Sequence, residues 1–117
     1  MNQEESITEL GTIRIHKNVI ASIAAAASKE VEGVKRIGAD FKSTFFELLG
    51  KNSTSSIKVE FTKANEVKLE IPLIIKYGYS IPNVSGQVQE NVHNAIEKMT
   101  NLTIKDININ IQSIERG

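Results

Sequence analysis

Two adjoining runs of alternating apolar and polar residues constrain the fold of this chain more than any other feature. The first run spans residues 57–62, the second spans residues 67–75, and a four-residue turn, residues 63–66, separates them. Side chains along a strand point alternately to the two faces of a sheet, so each run places its apolar residues on one face. The pattern predicts an antiparallel hairpin with one face covered. Pro72 has no backbone N–H to donate, which predicts an edge position or a bulge at that point.

Two segments with helical periodicity are expected to cover this apolar face. The first runs from about residue 17 to residue 32, and the second from residue 80 or 81 to residue 100. In each segment apolar residues recur at every third or fourth position and form a single stripe. These positions are Ile20, Ile23, Ala27, Val31 and Val34 in the first segment, and Val84, Val88, Val92, Ile96 and Met99 in the second. Gly33 is placed to end the first helix in a left-handed conformation.

Four consecutive alanines, residues 24–27, lie inside the first helical segment. Alanine has the highest helix propensity, and its short side chain lets a helix approach a neighbouring element closely. We interpret the alanines as a closely packed helix face. The alternative is a surface for self-association.

Three shorter elements complete the predicted order. Residues 10–15 and 34–37 are predicted as short strands, and residues 106–114, in which isoleucine alternates with polar residues, as the last strand. The order β-α-β-(α)-β-β-α-β predicts an α+β fold, a two-layer sandwich with two long helices on one face of a mostly antiparallel or mixed sheet. The chain of 117 residues fits one domain, predicted to span residues 10–117 after a disordered tail at residues 1–9.

The short helix in the middle of this order is predicted for residues 40–49, which include Phe41, Phe45 and Phe46. Asp40 is a suitable residue to cap it. Two interpretations are open: a lid over one end of the core, or a surface that docks on a partner. An exposed pair of adjacent phenylalanines promotes aggregation, which favours the lid. Phe41, Phe45 and Phe46 are the candidate residues for a partner surface.

The sequence lacks the residue patterns of the common catalytic and metal sites. It contains no cysteine, so disulfides and thiolate ligands are excluded, and its two histidines, His16 and His93, lack carboxylates at metal-binding spacing. No GxSxG, GxGxxG or phosphate-binding loop motif occurs. We therefore predict a protein that is not an enzyme and has neither metal nor cofactor.

Nucleic-acid or regulatory-ligand binding is the alternative function. Fourteen basic residues balance fourteen acidic ones, so no overall positive field attracts a polyanion or an anionic membrane. The basic pair Lys35-Arg36 is a candidate phosphate contact, and Phe61 and Tyr77, in register with the apolar face, are the main aromatic residues of the predicted sheet. A small nucleic-acid-binding or regulatory ligand-binding domain stays open, although the composition argues against nucleic acid.

Two blocks of sequence resemble the alkaline shock and general stress proteins of Gram-positive bacteria. The first block is GTIRIHKNVIASIAAAASKEVEGV, residues 11–34, and the second is YGYSIPNVSGQVQENVHNAIEKMTNLTIKDININIQSI, residues 77–114. They are similar to the family's Gly-x-Ile-x-Ile strand with its alanine-rich helix, and to its Tyr-Gly, Ile-Pro-x-Val and Met-Thr-Gly-Leu series. His16 stands where a serine-type cap is common, and Asn101 replaces the glycine of the last motif.

This resemblance implies a non-enzymatic interaction or scaffold protein with a role in cell-envelope homeostasis or the stress response. It also implies a cytoplasmic location. Some members of the family are held near the membrane by a small membrane-anchoring protein partner, and some self-associate. The family defines no catalytic residues. No apolar run in the chain approaches the length of about 20 residues that a membrane span requires, so we expect no direct span.

Overall fold

A computed structural model describes the backbone of residues 3–38 and 56–116, and the side chains from residue 16 onward within those ranges. Its elements in chain order are α1 Gln3–Lys29, β1 Val34–Ile37, β2 Lys58–Lys63, β3 Glu66–Lys76, α2 Ile81–Met99 and β4 Thr103–Glu115. The predicted α+β class, with two long helices and a mixed sheet, is confirmed. The predicted helix at residues 40–49 lies outside the described residues.

The sheet is organised around β3, which pairs with strands on both of its sides. β4 runs parallel to β3 along its whole length, from Glu66 opposite Thr103 to Lys76 opposite Glu115. On the other side, β2 pairs antiparallel with the first half of β3 and β1 pairs antiparallel with the second half. Within the described part of the chain, β4 therefore forms one edge of the sheet.

Pro72 lies within the central strand, at the position where β3 changes partner. The β2 ladder ends at Glu70 and the β1 ladder begins at Leu73. The carbonyl of Pro72 accepts a hydrogen bond from the N–H of Gly38 at 2.8 Å, so the missing N–H also faces this junction. Pro72 is therefore not on an edge strand, as one of the two expectations had it, but lies at a local gap between two partner strands on one side of β3. This gap removes the usual cost of proline in a central strand.

The strand predicted for residues 10–15 is wrong, because these residues belong to α1. The alternation between Ile13 and Ile15 covers too few residues to distinguish a strand from a helix. Ile13 also precedes Ile20 by two helical turns, so its spacing continues the helical pattern. The helical backbone begins at Gln3, within the segment expected to be a disordered tail.

The core lies between the two helices and the apolar face of the sheet. From α2, Val84, Val88, Val92 and Ile96 are buried, as their stripe predicts. Of the four consecutive alanines at residues 24–27, three are buried and Ala26 is exposed, so close packing accounts for most of the alanine run. Each fully buried valine or isoleucine contributes about 1.5–3 kcal/mol of transfer free energy, which makes both helices necessary for stability. Gly33, with φ of 101°, ends the turn after α1 as predicted.

Candidate interaction surface

The side chain of Asn91 on α2 joins the two helices near the end of α1. In a continuing helix the carbonyl of Ala27 would accept from the N–H of Val31, but that N–H donates to Ser28 O at 3.2 Å instead. Asn91 Nδ2 donates to the released Ala27 carbonyl at 2.7 Å and also to Glu30 Oε2 at 3.3 Å. Because Asn91 caps α1 from the side, it fixes the position of α2 beside it.

A shallow groove runs between α1 and α2. It has a volume of about 400 Å³ and is lined mainly by apolar or small side chains. The lining residues are Ser22, Ile23, Ala26, Ala27, Glu30, Asn91, Asn94, Ala95, Lys98 and Met99. We call this surface the helix groove. The short side chains of the alanines leave the surface between the two helices recessed. Two charged residues line the groove at separate places, Glu30 beside Asn91 and Lys98 beside Met99.

A second hollow continues the apolar surface past the end of α2. It has a volume of about 430 Å³ and includes Val19, Leu102 and Met99 in its lining. Met99 borders both hollows and is 68% exposed, while Val19 is 46% exposed. The helical stripe predicts Met99 in the core, but the buried part of the stripe ends at Ile96. The two hollows together form an exposed apolar surface on α1 and α2.

The two histidines lie apart from each other, and within the described residues neither belongs to a cluster of potential metal ligands. His93 Nε2 is 3.3 Å from Glu97 Oε2, one helical turn away on α2, and His16 borders the second hollow. Among the residues that the structure describes, no three histidine or acidic side chains gather in a metal-binding arrangement. The absence of a metal, a cofactor and catalysis stays a prediction.

The basic pair Lys35-Arg36 is engaged within the protein. Arg36 Nη1 and Nη2 donate to the two carboxylate oxygens of Glu115 at 2.9 and 3.0 Å, and Lys35 Nζ lies 3.4 Å from Glu115 Oε1. The hydrogen bonds from Arg36 lower the pKa of Glu115 and raise that of Arg36 itself. The interaction of Arg36 with Glu115 connects β1 to β4, and the carboxylate compensates one of the two positive charges proposed for phosphate contact.

The sheet face opposite the helices carries charges of both signs. Lys58 lies opposite Glu70 in the strand register, and Lys68 lies opposite both Glu60 and Asp106. Such a mixed surface gives no single-sign field for a polyanion. Tyr77, expected on the apolar face, instead follows the end of β3 and is 71% exposed, with the guanidinium carbon of Arg116 6.0 Å from its ring centre.

The candidate partner residues Phe41, Phe45 and Phe46 lie outside the described residues, and their role stays a prediction. Val19 and Asn91 are not among the residues that the sequence pattern indicates, and Met99 is predicted in the core. A signal for Met99 was available, because it is the last apolar residue of the stripe and lies beside the helix end. Nothing in the sequence marked Asn91, since its contact depends on how α1 and α2 pack.

Comparisons with known proteins identify related sequences and a similar fold. The model of the alkaline shock protein 23 family, described as having a cell envelope-related function, matches residues 5–116. The uncharacterized protein YqhY of Bacillus subtilis is 33% identical over 116 residues, which cover 98% of this chain and 85% of YqhY. The uncharacterized protein YloU of the same organism is 25% identical over 109 residues, covering 92% of this chain and 91% of YloU.

Solved structures of MamM-CTD variants share the fold at much lower sequence identity. One variant matches with a TM-score of 0.56 and 9% identity, covering 81% of this chain and 94% of its own. A copper form of another variant gives the same TM-score, identity and coverage. These matches support the α+β fold alone. In the described part of the chain, neither helix has the length and hydropathy of a membrane span.

Proposed function

This chain belongs to the alkaline shock protein 23 family, whose function is related to the cell envelope, and on that premise we propose a non-enzymatic interaction protein. In this proposal the helix groove binds an amphipathic helix of a protein partner, such as one anchored in the membrane. The chain would then act from the cytoplasm, close to the membrane, as a scaffold.

The observation that carries the proposal is the continuous apolar surface around Met99. Single exposed apolar residues are ordinary on protein surfaces, whereas adjoining ones in a groove mark interaction sites. Val19, Ile23 and Ala26 on α1 border this surface together with Ala95 and Met99 on α2. A groove between two helices suits a helical ligand, which presents apolar side chains at every third or fourth position.

The charges along the groove indicate how such a helix would be oriented. Glu30 lies at the end where Asn91 caps α1, and Lys98 lies near Met99 at the other end. A partner helix with a basic residue towards Glu30 and an acidic residue towards Lys98 would complement both. The alternative of nucleic-acid binding is weakened by the pairing of Arg36 with Glu115 and by the mixed charges on the open face of the sheet.

Photo-crosslinking in living cells tests this proposal directly. A photoreactive amino acid at Met99 is expected to capture a specific protein, identified by mass spectrometry as one with an amphipathic helix. Adding Ala26→Arg, which places a long charged side chain in the groove, should reduce the product by at least about fivefold. The matched control carries the photoreactive residue at Glu60, exposed on the sheet face opposite the helices, and should not yield the product.

Equal capture from both positions would contradict the proposal, because it would indicate non-specific contact. A product that contains only a second copy of this chain would also contradict it and would assign the groove to self-association. Thermal unfolding of Ala26→Arg must match that of the unsubstituted protein, since a folding defect would produce the same loss of capture.

A further inference from the structure

Within the described residues β4 is an edge strand, and the side of it that does not face β3 is called its outer edge. β4 has 13 residues, and in the described part of the chain its only ladder partner is β3. An unpaired strand edge presents backbone N–H and C=O groups that are ready to pair with another extended chain. Natural proteins usually protect a long edge with charged residues, proline or a covering element.

In the described part of the chain, side chains of α2 contact the first half of this edge. Gln89 Nε2 donates to the carbonyl of Ile107 at 2.8 Å, and Glu97 Oε2 accepts from the N–H of Ile104 at 3.3 Å. Hydrogen-bonding groups along a strand point alternately to its two sides. Since Ile107 O faces away from β3, the N–H and C=O groups of Ile109 and Ile111 face away from it as well. In the described part of the chain no hydrogen bond reaches these outward groups.

The second half of the edge also lacks the usual protection by charge. Residues 107–114 contain no charged residue and no proline. Ile109 and Ile111 are half-buried on the helix side, and Ile114 is 49% exposed. Asn110 is exposed and lies on the opposite face, between these two isoleucines. This half of β4 thus presents apolar side chains on the helix side and uncharged polar side chains on the opposite face.

We propose that β4 pairs antiparallel with β4 of a second copy, about a two-fold axis near Asn110. This proposal rests on the interaction role proposed above and names a second partner surface. Residues opposite each other in an antiparallel pair lie on the same face. Ile109 then meets Ile111 of the second copy, while the two Asn110 side chains approach each other across the axis.

A second copy fits this edge better than an unrelated extended peptide. A two-fold pairing uses the same surface on both partners, so the surface must be complementary to itself. The edge satisfies this condition because its apolar side chains meet apolar side chains and its uncharged centre brings no like charges together. The pairing joins the two sheets into one and satisfies the outward groups of Ile109 and Ile111 in both copies.

Sedimentation equilibrium of the full chain over a wide concentration range tests the proposal. Asn110→Lys and Asn110→Glu each place like charges at the axis, and each should raise the dimer Kd by roughly tenfold or more at low salt. An equimolar mixture of the two variants should associate as tightly as the unsubstituted protein, because opposite charges then meet. Asn18→Lys is the matched control, since it adds the same side chain at an exposed position of α1 and should leave Kd unchanged.

A protein that stays monomeric at all concentrations would overturn the proposal. So would a dimer whose Kd is unchanged by both Asn110 variants, or one that the mixture fails to restore. The helix-groove proposal is tested separately, because Ala26→Arg should reduce partner capture from Met99 without changing the dimer Kd. Loss of dimerisation in Ala26→Arg, with no effect of the Asn110 variants, would place the contact between copies in the groove.

Discussion

Arg36 and Glu115 form a bidentate ion pair across the sheet. Their nitrogen–oxygen distances are 2.9 and 3.0 Å, and the residues are 79 positions apart in sequence. β1 and β4 lie on opposite sides of β3 and share no backbone ladder. The ion pair therefore joins two strands that the sheet itself connects only through β3. Both side chains are partly exposed, so water and salt screen the attraction.

We expect Glu115→Gln to lower the melting temperature slightly, by about 2 °C or less at low salt. The substitution keeps the shape of the side chain and removes the charge that Arg36 and Lys35 contact. The melting temperatures of the two proteins should converge at high salt, because exposed ion pairs are screened. A difference that persists at 1 M salt would indicate that packing, and not charge, is responsible.

The difference in melting temperature between the unsubstituted protein and Glu115→Gln should depend on pH. The pKa of Glu115 is lowered in the folded protein, chiefly by the hydrogen bonds from Arg36. A carboxyl whose pKa falls on folding stabilises the protein above its unfolded pKa, and this contribution disappears as pH falls through the folded pKa. The difference in melting temperature should therefore be full at neutral pH and vanish in acid below the ordinary glutamate range. A difference that grows in acid would contradict this assignment.

Gly33→Ala should destabilise the fold by about 2 kcal/mol or more. Gly33 has φ of 101°, and a Cβ atom there would lie 2.8 Å from Cγ2 of Val84. The substitution therefore adds backbone strain and a clash with α2. Gly86→Ala is the matched control: it lies inside α2 with open space around its Cβ position, and should stabilise by about 0.5–1 kcal/mol. Urea unfolding measures both effects, and equal effects of the same sign would contradict the interpretation.

Asn91→Ala should lower the free energy of unfolding by about 1 kcal/mol, because it leaves the carbonyl of Ala27 without its donor. Asn94→Ala, on the same helix and also bordering the groove, should change it by less than about 0.5 kcal/mol because Asn94 is exposed. Hydrogen exchange gives a second measurement, since losing the cap should increase exchange in the last turn of α1. Equal effects of the two substitutions would show that Asn91 has no special role.

The buried residues could be predicted well where the apolar pattern of a single helix or strand determines them. The period of α2 identified Val84, Val88, Val92 and Ile96 correctly, because a helix stripe directly reports which residues face the core. Residues 10–15 were assigned wrongly because two alternating isoleucines fit a helix equally well. The parallel pairing of β4 could not be derived from its alternation, since the same pattern suits either direction of a neighbouring strand.

The candidate surfaces were harder to predict because they depend on how separate elements meet. The contact of Asn91 with Ala27 joins residues 64 positions apart, and it exists only once α1 and α2 pack together. The exposure of Met99 reflects where the core ends, which its position in the stripe does not reveal. The position of β4 at one edge of the sheet, as far as the described residues show it, follows from the strand order, and its alternating sequence does not indicate this position.

The gap at Pro72 bears on where the length of the chain can change. Gly38 directly follows β1, and Ser56 lies shortly before β2. Both residues lie close to Pro72, where β3 changes its partner strand. Gly38 and Ser56 thus lie where no strand ladder of β3 has to be broken to connect them. A change in the number of residues between these two positions would leave the strand register of β3 intact. The gap at Pro72 would therefore let the chain length vary at one point without rebuilding the sheet.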